Sequence, residues 1–301
     1  MRQAFACFGG RCAVEVAGDA ADAVARARGR LLGWHERFTR FAPGSELSRL
    51  NADPRAEVPV SPDLAALVDA IAGAGRRTAG LVDGMLATEL ELAGYARDLG
   101  QSLPLALALR LAPPRAPAHP RPGCRWREVD CTGDRVRRPP GLAFDGGGVA
   151  KGLCADLIAA ELGGHGRFAV DCAGDLRIGG ADGTARRVEV ADPFGGREPV
   201  AVFELVAGGV ATSGIGRRSW LGADGRPAHH LLDPATGRPA FTGVVQATAL
   251  APTALEAEVL AKAALLAGPE AAPGWLPHGG ALVADDGSHA LFEPAAVVSE
   301  A

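Results

Sequence analysis

The chain reads as an α+β fold, with helices flanking mostly antiparallel strands, and three observations carry that reading. Apolar residues recur at helical spacing in several long stretches. From Trp126 onward the pattern changes to short apolar runs broken by Gly-Gly and Asp-Gly turns. A length of 301 residues with 48% hydrophobic composition supplies a sizeable core for both to pack on. One large domain, 1–301, or two interleaved subdomains fit that length equally well.

Taken in order, Phe5 to Val16 is a first strand interrupted at Gly9-Gly10, and Asp19 to Phe38 a helix with Val24, Leu31, Leu32 and His35 at helical spacing. Ser45 N-caps a short helix after a Pro-Gly turn, and Asn51 closes it, as a C-cap or as a site-organising residue. Ser61 and Pro62 open a second long helix running to Thr78. A glycine-flanked apolar loop, Ala79 to Leu86, leads to a helix ending near Gly94-Tyr95, and 104–122 form a helix tail and a proline-punctuated connection. Arg125 to Asp130 and Arg135 to Arg138 are expected as strands, and Val149 to Leu162 as a helix. Strands are then expected at 167–171, 176–178, 186–191, 201–206, 209–211 and 243–250, a helix at 253–267, and strands at 281–284 and 289–292.

The net charge of −4, with both signs spread along the chain, excludes the electrostatic footprint of a nucleic-acid or anionic-membrane binder. No apolar run is long enough for a membrane helix or a secretory signal, so a cytoplasmic location is expected. The six cysteines form no C-x-x-C pair and read as reduced, buried small hydrophobes. Only two of the 31 basic residues are lysines, Lys151 and Lys262. Where Arg has replaced Lys almost everywhere, a retained lysine suggests a need for a compact point charge.

Four segments carry candidate chemistry. Asp145-Gly-Gly-Gly-Val-Ala-Lys151 precedes a helix and suits an anion: glycines admit close backbone approach, the helix N-terminus adds partial positive charge, and Lys151 adds a full one. It is neither a Walker loop nor a dinucleotide fingerprint, and a turn for close strand-helix packing is the plainer reading. Asp171 and Asp175 flank a small-residue turn, where both also read as ordinary turn carboxylates. His230 precedes Asp-Pro-x-Thr-Gly-x-Pro, a sharply turned polar loop, after the hydroxyl-bearing Thr212-Ser213. Glu258 and Lys262 lie four apart on an otherwise apolar helix, either as a plain salt bridge or as a partly buried site.

Together with Phe8-Gly9-Gly10, Ser45 to Asn51 and Gly80-Leu-Val-Asp83, these segments resemble the FAD:protein FMN transferase (ApbE-like) family over nearly the whole chain. The resemblance implies an ApbE-like fold with a T-fold-like core. It also implies binding of FAD and transfer of its FMN half to a Thr or Ser hydroxyl of a target flavoprotein, with release of AMP. By position, Asp145 and Lys151 look like FAD contacts, Leu81, Val82 and Asp83 like a loop over the flavin, and Phe8 and Phe41 like hydrophobic FAD contacts. The His230 loop, with Leu232, resembles a further wall. Gly148 falls where a backbone carbonyl ligates Mg²⁺. Asp171, Asp175 and His230 are the candidates for a base.

The resemblance breaks at two places. The family's Asp and Thr side-chain ligands of Mg²⁺ are here Glu258 and Lys262, and an ammonium repels a cation rather than ligating it. Lys262 is therefore expected to pair with Glu258 and present its charge to the pyrophosphate in place of the metal; the alternative is that it swings outward and leaves a weakened Mg²⁺ site. At Asp171 to Asp175 a carboxylate stands where the family commonly has an amide. The competing functions are a flavin-binding or carrier protein with little catalysis, and an FAD pyrophosphatase giving FMN and AMP.

Overall fold

The structure, a computed structural model, describes residues 1–97 and 102–293. Its centre is an eight-stranded sheet: β1 (Arg2–Cys7), β2 (Gly10–Val16), β3 (Phe168–Cys172), β4 (Asp175–Gly179), β5 (Gly208–Gly214), β6 (Val244–Ala251), β7 (Gly280–Ala284) and β8 (His289–Phe292). Spatial order equals chain order and every neighbouring pair is antiparallel. The helices α1 (Ala21–Phe38), α2 (Glu46–Ala52), α3 (Pro62–Arg77), α4 (Ala87–Leu92), α5 (Leu105–Leu111) and α6 (Ala150–Leu162) all fall between β2 and β3, and α7 (Ala254–Ala267) between β6 and β7. One apolar core joins the inner face of the sheet to α1, α2, α3, α6 and α7. Helix α7 is apolar nearly all round because it is buried nearly all round. Among the described residues no helix is long and apolar enough to cross a membrane.

Helix starts follow the expected chemistry. Ser45 Oγ accepts from the Ser48 N–H at 3.0 Å and Ser61 Oγ from the Leu64 N–H at 3.2 Å. The α+β expectation matches the observed elements, and one element differs. Arg125–Glu128 is a short 3₁₀ turn, not a strand, with the strand confined to Asp130–Thr132. Trp126 is the reason: its indole lies against Gly75 and Gly80, where any Cβ would collide with it or crowd it, and this contact curls the segment onto the end of α3. Short ribbons at Glu57–Pro59, Ser219–Leu221 with Pro227–His229, and Leu232–Asp233 with Arg238–Pro239 were not expected. Cys7, Cys12, Cys154 and Cys172 are buried, and Cys124 and Cys131 are half-buried.

Candidate functional site

The connections between these elements converge on one cleft enclosing about 1280 Å³, part of it open to solvent. One rim is the two-residue turn between β1 and β2, where Phe8 and Gly9 both take left-handed backbone (φ 53° and 69°). A non-glycine residue held there is strained, and Phe8 presents its ring to the cleft and to His35, edge to face at 5.5 Å. Ala79 and Gly80, also left-handed, turn the chain out of α3 into Leu81–Asp83. Thr78 Oγ1 fixes that exit by donating to the Ala74 carbonyl and accepting from the Val82 N–H. Leu81 and Val82 are thereby buried against the cleft. Asp83 accepts from the Met85 N–H, and burial raises its pKa.

The glycine run is clamped from both sides. Asn51 donates from Nδ2 to the Phe144 carbonyl and accepts the Phe144 N–H at Oδ1, both at 2.8 Å, so it organises the site rather than capping α2. Asp145 accepts from Arg40 Nε at 2.6 Å and from the Gly147 N–H at 2.7 Å. The Arg40 side chain is only 5% exposed and also donates to the Tyr95 carbonyl. Gly146 then accepts the Ala150 N–H and starts α6, whose N-terminus carries no side-chain cap and faces the cleft.

The floor lies between α6 and α7. Lys151 Nζ pairs with Asp175 Oδ2, and Glu258 Oε1 stands 3.7 Å from the same ammonium. Burial works to lower the Lys151 pKa, but Asp175 and Glu258 outweigh it and the pKa is raised. Glu258 Oε2 accepts the Gly152 N–H at 2.9 Å. Burial, with help from the Asp175 charge, pushes the Glu258 carboxyl up to about 7 against the pull of Lys151 and Lys262. Lys262 Nζ lies against Gly148, so that a Cβ added there would collide with it. Burial lowers the Lys262 pKa, and Lys151 adds to the effect.

The opposite wall is aromatic. Tyr95 and Trp220 stack at 5.4 Å, Phe41 meets Tyr95 edge to face at 5.3 Å, and His230 lies 6.5 Å from Tyr95. Arg40 covers both Phe41 and Tyr95. Burial drives the His230 pKa well below its usual value, reinforced by Arg218 and Lys262. Its Nδ1 is buried with no hydrogen-bond partner among the described residues.

Of the residues singled out in the sequence, Phe8, Phe41, Leu81, Val82, Asp83, Asp145, Gly148, Lys151, His230, Leu232 and Lys262 line this cleft. Asp175 and Glu258 sit behind Lys151 and do not line it. Asp171 does not line it either; it accepts the Gly174 N–H at 2.8 Å, and burial raises its pKa. The expected Glu258–Lys262 pair is absent among the described residues; Glu258 serves Lys151 and Gly152 instead. Arg40, Tyr95 and Arg218 were missed. Arg218 donates to the Phe8 carbonyl at 3.1 Å across 210 residues of sequence, and no local pattern signals such a contact.

The residues present do not suit Mg²⁺. An ammonium occupies the space beside Gly148, both oxygens of Glu258 face donors, and no group of three or more His, Cys, Asp or Glu that could hold a metal occurs among the described residues.

Residues 8–283 match the ApbE family. The chain is 36% identical over 138 residues to the FAD:protein FMN transferase of Escherichia coli K12, covering 44% of this chain and 39% of that protein. It is 30% identical over 230 residues to that of Salmonella typhimurium, covering 73% of this chain and 64% of that protein. The chain thus matches less than two thirds of the length of these curated relatives. The crystal structure of the ApbE protein from Thermotoga maritima superposes with a TM-score of 0.77 at 24% identity, covering 97% of each chain. The apo form of Pseudomonas stutzeri flavinyl transferase ApbE gives 0.75 at 22% identity, covering 97% of this chain and 94% of that one. These superpositions establish a shared fold, and the match over residues 8–283 places the chain in the ApbE family.

Proposed function

We propose that this chain is an FAD:protein FMN transferase, moving FMN from FAD to a Thr or Ser hydroxyl of a target flavoprotein and releasing AMP. The observation that carries the reading is the pairing of a cationic floor with an aromatic wall in one cleft: Lys151, Lys262 and the uncapped start of α6 face the same space as Tyr95, Phe41 and His230. A dinucleotide with a flat ring system and a pyrophosphate matches both halves.

In the reaction the acceptor oxygen bonds to the flavin-side phosphorus, the bridging P–O bond breaks, AMP leaves and the hydroxyl loses its proton. The positively charged floor favours the charge that builds on the phosphoryl oxygens. Among the three candidate bases, His230 is the one that suits the proton: it lines the cleft, is held neutral and has a free acceptor nitrogen. Asp175 is committed to Lys151, and Asp171 is bound within its own turn and does not line the cleft.

The test incubates the purified protein with FAD and a flavoprotein bearing an acceptor Thr. The expected result is an FMN-sized mass increase on the acceptor, with AMP released in equal amount. AMP released without acceptor identifies a pyrophosphatase, and retained FAD with no product identifies a carrier.

A further inference from the structure

The cations at the floor of the cleft differ in how they are held. Arg40 is bound to Asp145, Lys151 to Asp175 and Arg218 to the Phe8 carbonyl. Lys262 makes no hydrogen bond or ion pair among the described residues, although it is partly buried and lies against Gly148 at the start of α6. The chain holds only two lysines, 111 positions apart, and the fold brings both to this floor. One has carboxylate neighbours to answer it; the other has none within ion-pair distance among the described residues. Burying an ammonium without a partner is costly, so its retention calls for an anion supplied from outside.

Resting on the reading of the cleft as an FAD site, we propose that the Lys262 ammonium is the resident counter-ion of the FAD pyrophosphate, and that this chain binds FAD without a divalent cation. The charge count supports it. Two negative charges of a pyrophosphate diester meet one full charge from Lys262 and about half a charge from the α6 N-terminus, before any contribution from Lys151. A divalent ion added at Gly148 would face Lys262 at contact distance, and both oxygens of Glu258, the carboxylate one turn away on the same helix, already face donors.

The test measures FAD binding by flavin fluorescence quenching, in EDTA and in excess Mg²⁺, with riboflavin as a ligand that lacks phosphate. Wild type is expected to bind FAD equally well in both buffers. Lys262→Met, which keeps the stem and removes the charge, is expected to weaken FAD binding at least tenfold in EDTA and to leave riboflavin binding unchanged. Gly148→Ala, which pushes the flexible end of Lys262 aside, is expected to act in the same direction and guards against a folding defect in the first variant. FAD binding by wild type that requires Mg²⁺, or Lys262→Met binding as tight as wild type in EDTA, would overturn the proposal while leaving the FAD site intact. Absence of FAD binding in both buffers would overturn the FAD reading itself.

Discussion

The backbone N–H of Gly152 donates to Glu258 Oε2 at 2.9 Å, and at the same residue α6 touches the backbone of α7. A Cβ on Gly152 would lie 2.6 Å from both the Ala254 carbonyl oxygen and the Leu255 Cα. One glycine therefore sets the spacing of the two helices and the position of the carboxylate that supports Lys151.

Gly152→Ala is accordingly expected to force the helices apart, because backbone atoms cannot rotate away as a side chain can. A loss of about 1 to 3 kcal/mol is expected from overpacking, read as a lower denaturant midpoint with unchanged slope. FAD affinity should fall with it, since Lys151 and Lys262 are carried on the separated helices.

Asp175 is 1% exposed, and its replacement leaves Lys151 with only Glu258 at 3.7 Å. Asp175→Asn should cost about 3 kcal/mol, the scale of breaking a buried pair from one side. Thermal unfolding of the protein without ligand checks this, and added FAD should recover part of the loss.

Acid should destabilise the protein through its buried histidines. Burial holds the His229 pKa at about 3 and that of His230 well below its usual value. The unfolded chain titrates near 6.5, so it takes up protons that the native state refuses, and stability falls as pH drops below that value. Glu258, raised to about 7, works the other way: its contribution is present below its unfolded value and is lost as pH rises through 7, offsetting part of the histidine slope. His229→Asn, whose amide oxygen can replace the Nδ1 acceptor of the Leu231 N–H, should reduce the proton uptake on unfolding by about one between pH 4 and 6.

Asn51→Ala removes both hydrogen bonds to Phe144, beside Asp145. About 1 to 2 kcal/mol of stability should be lost, since the Phe144 N–H and C=O are left without those partners. A larger relative effect is expected on FAD affinity, measured by the same fluorescence titration, because the glycine run loses its tether.

Periodicity and turn chemistry made most of the scaffold legible: Ser45 and Ser61 cap the helices they announce. The ribbons around Trp220 and His229 escaped because strands of three residues carry no period. At the site, the residue types were legible and the pairings were not. Spacing on one helix suggested that Glu258 and Lys262 answer each other, yet depth in the fold gives Glu258 to Lys151 and leaves Lys262 for the cleft. Arg40 was silent for a related reason: its value lies in a bond to Asp145, 105 residues away.

The order of the sheet also bears on how the chain is made. β1 and β2 form a hairpin, but the strand that pairs with the other edge of β2 begins only at Phe168. The free edge of β2 must wait while six helices emerge, and an unpaired strand edge is a template for wrong partners. Every later strand of the sheet pairs with the sheet strand made just before it, so the wait at β2 is the longest that the sheet imposes, and chaperone contact should concentrate on chains that end before Cys172.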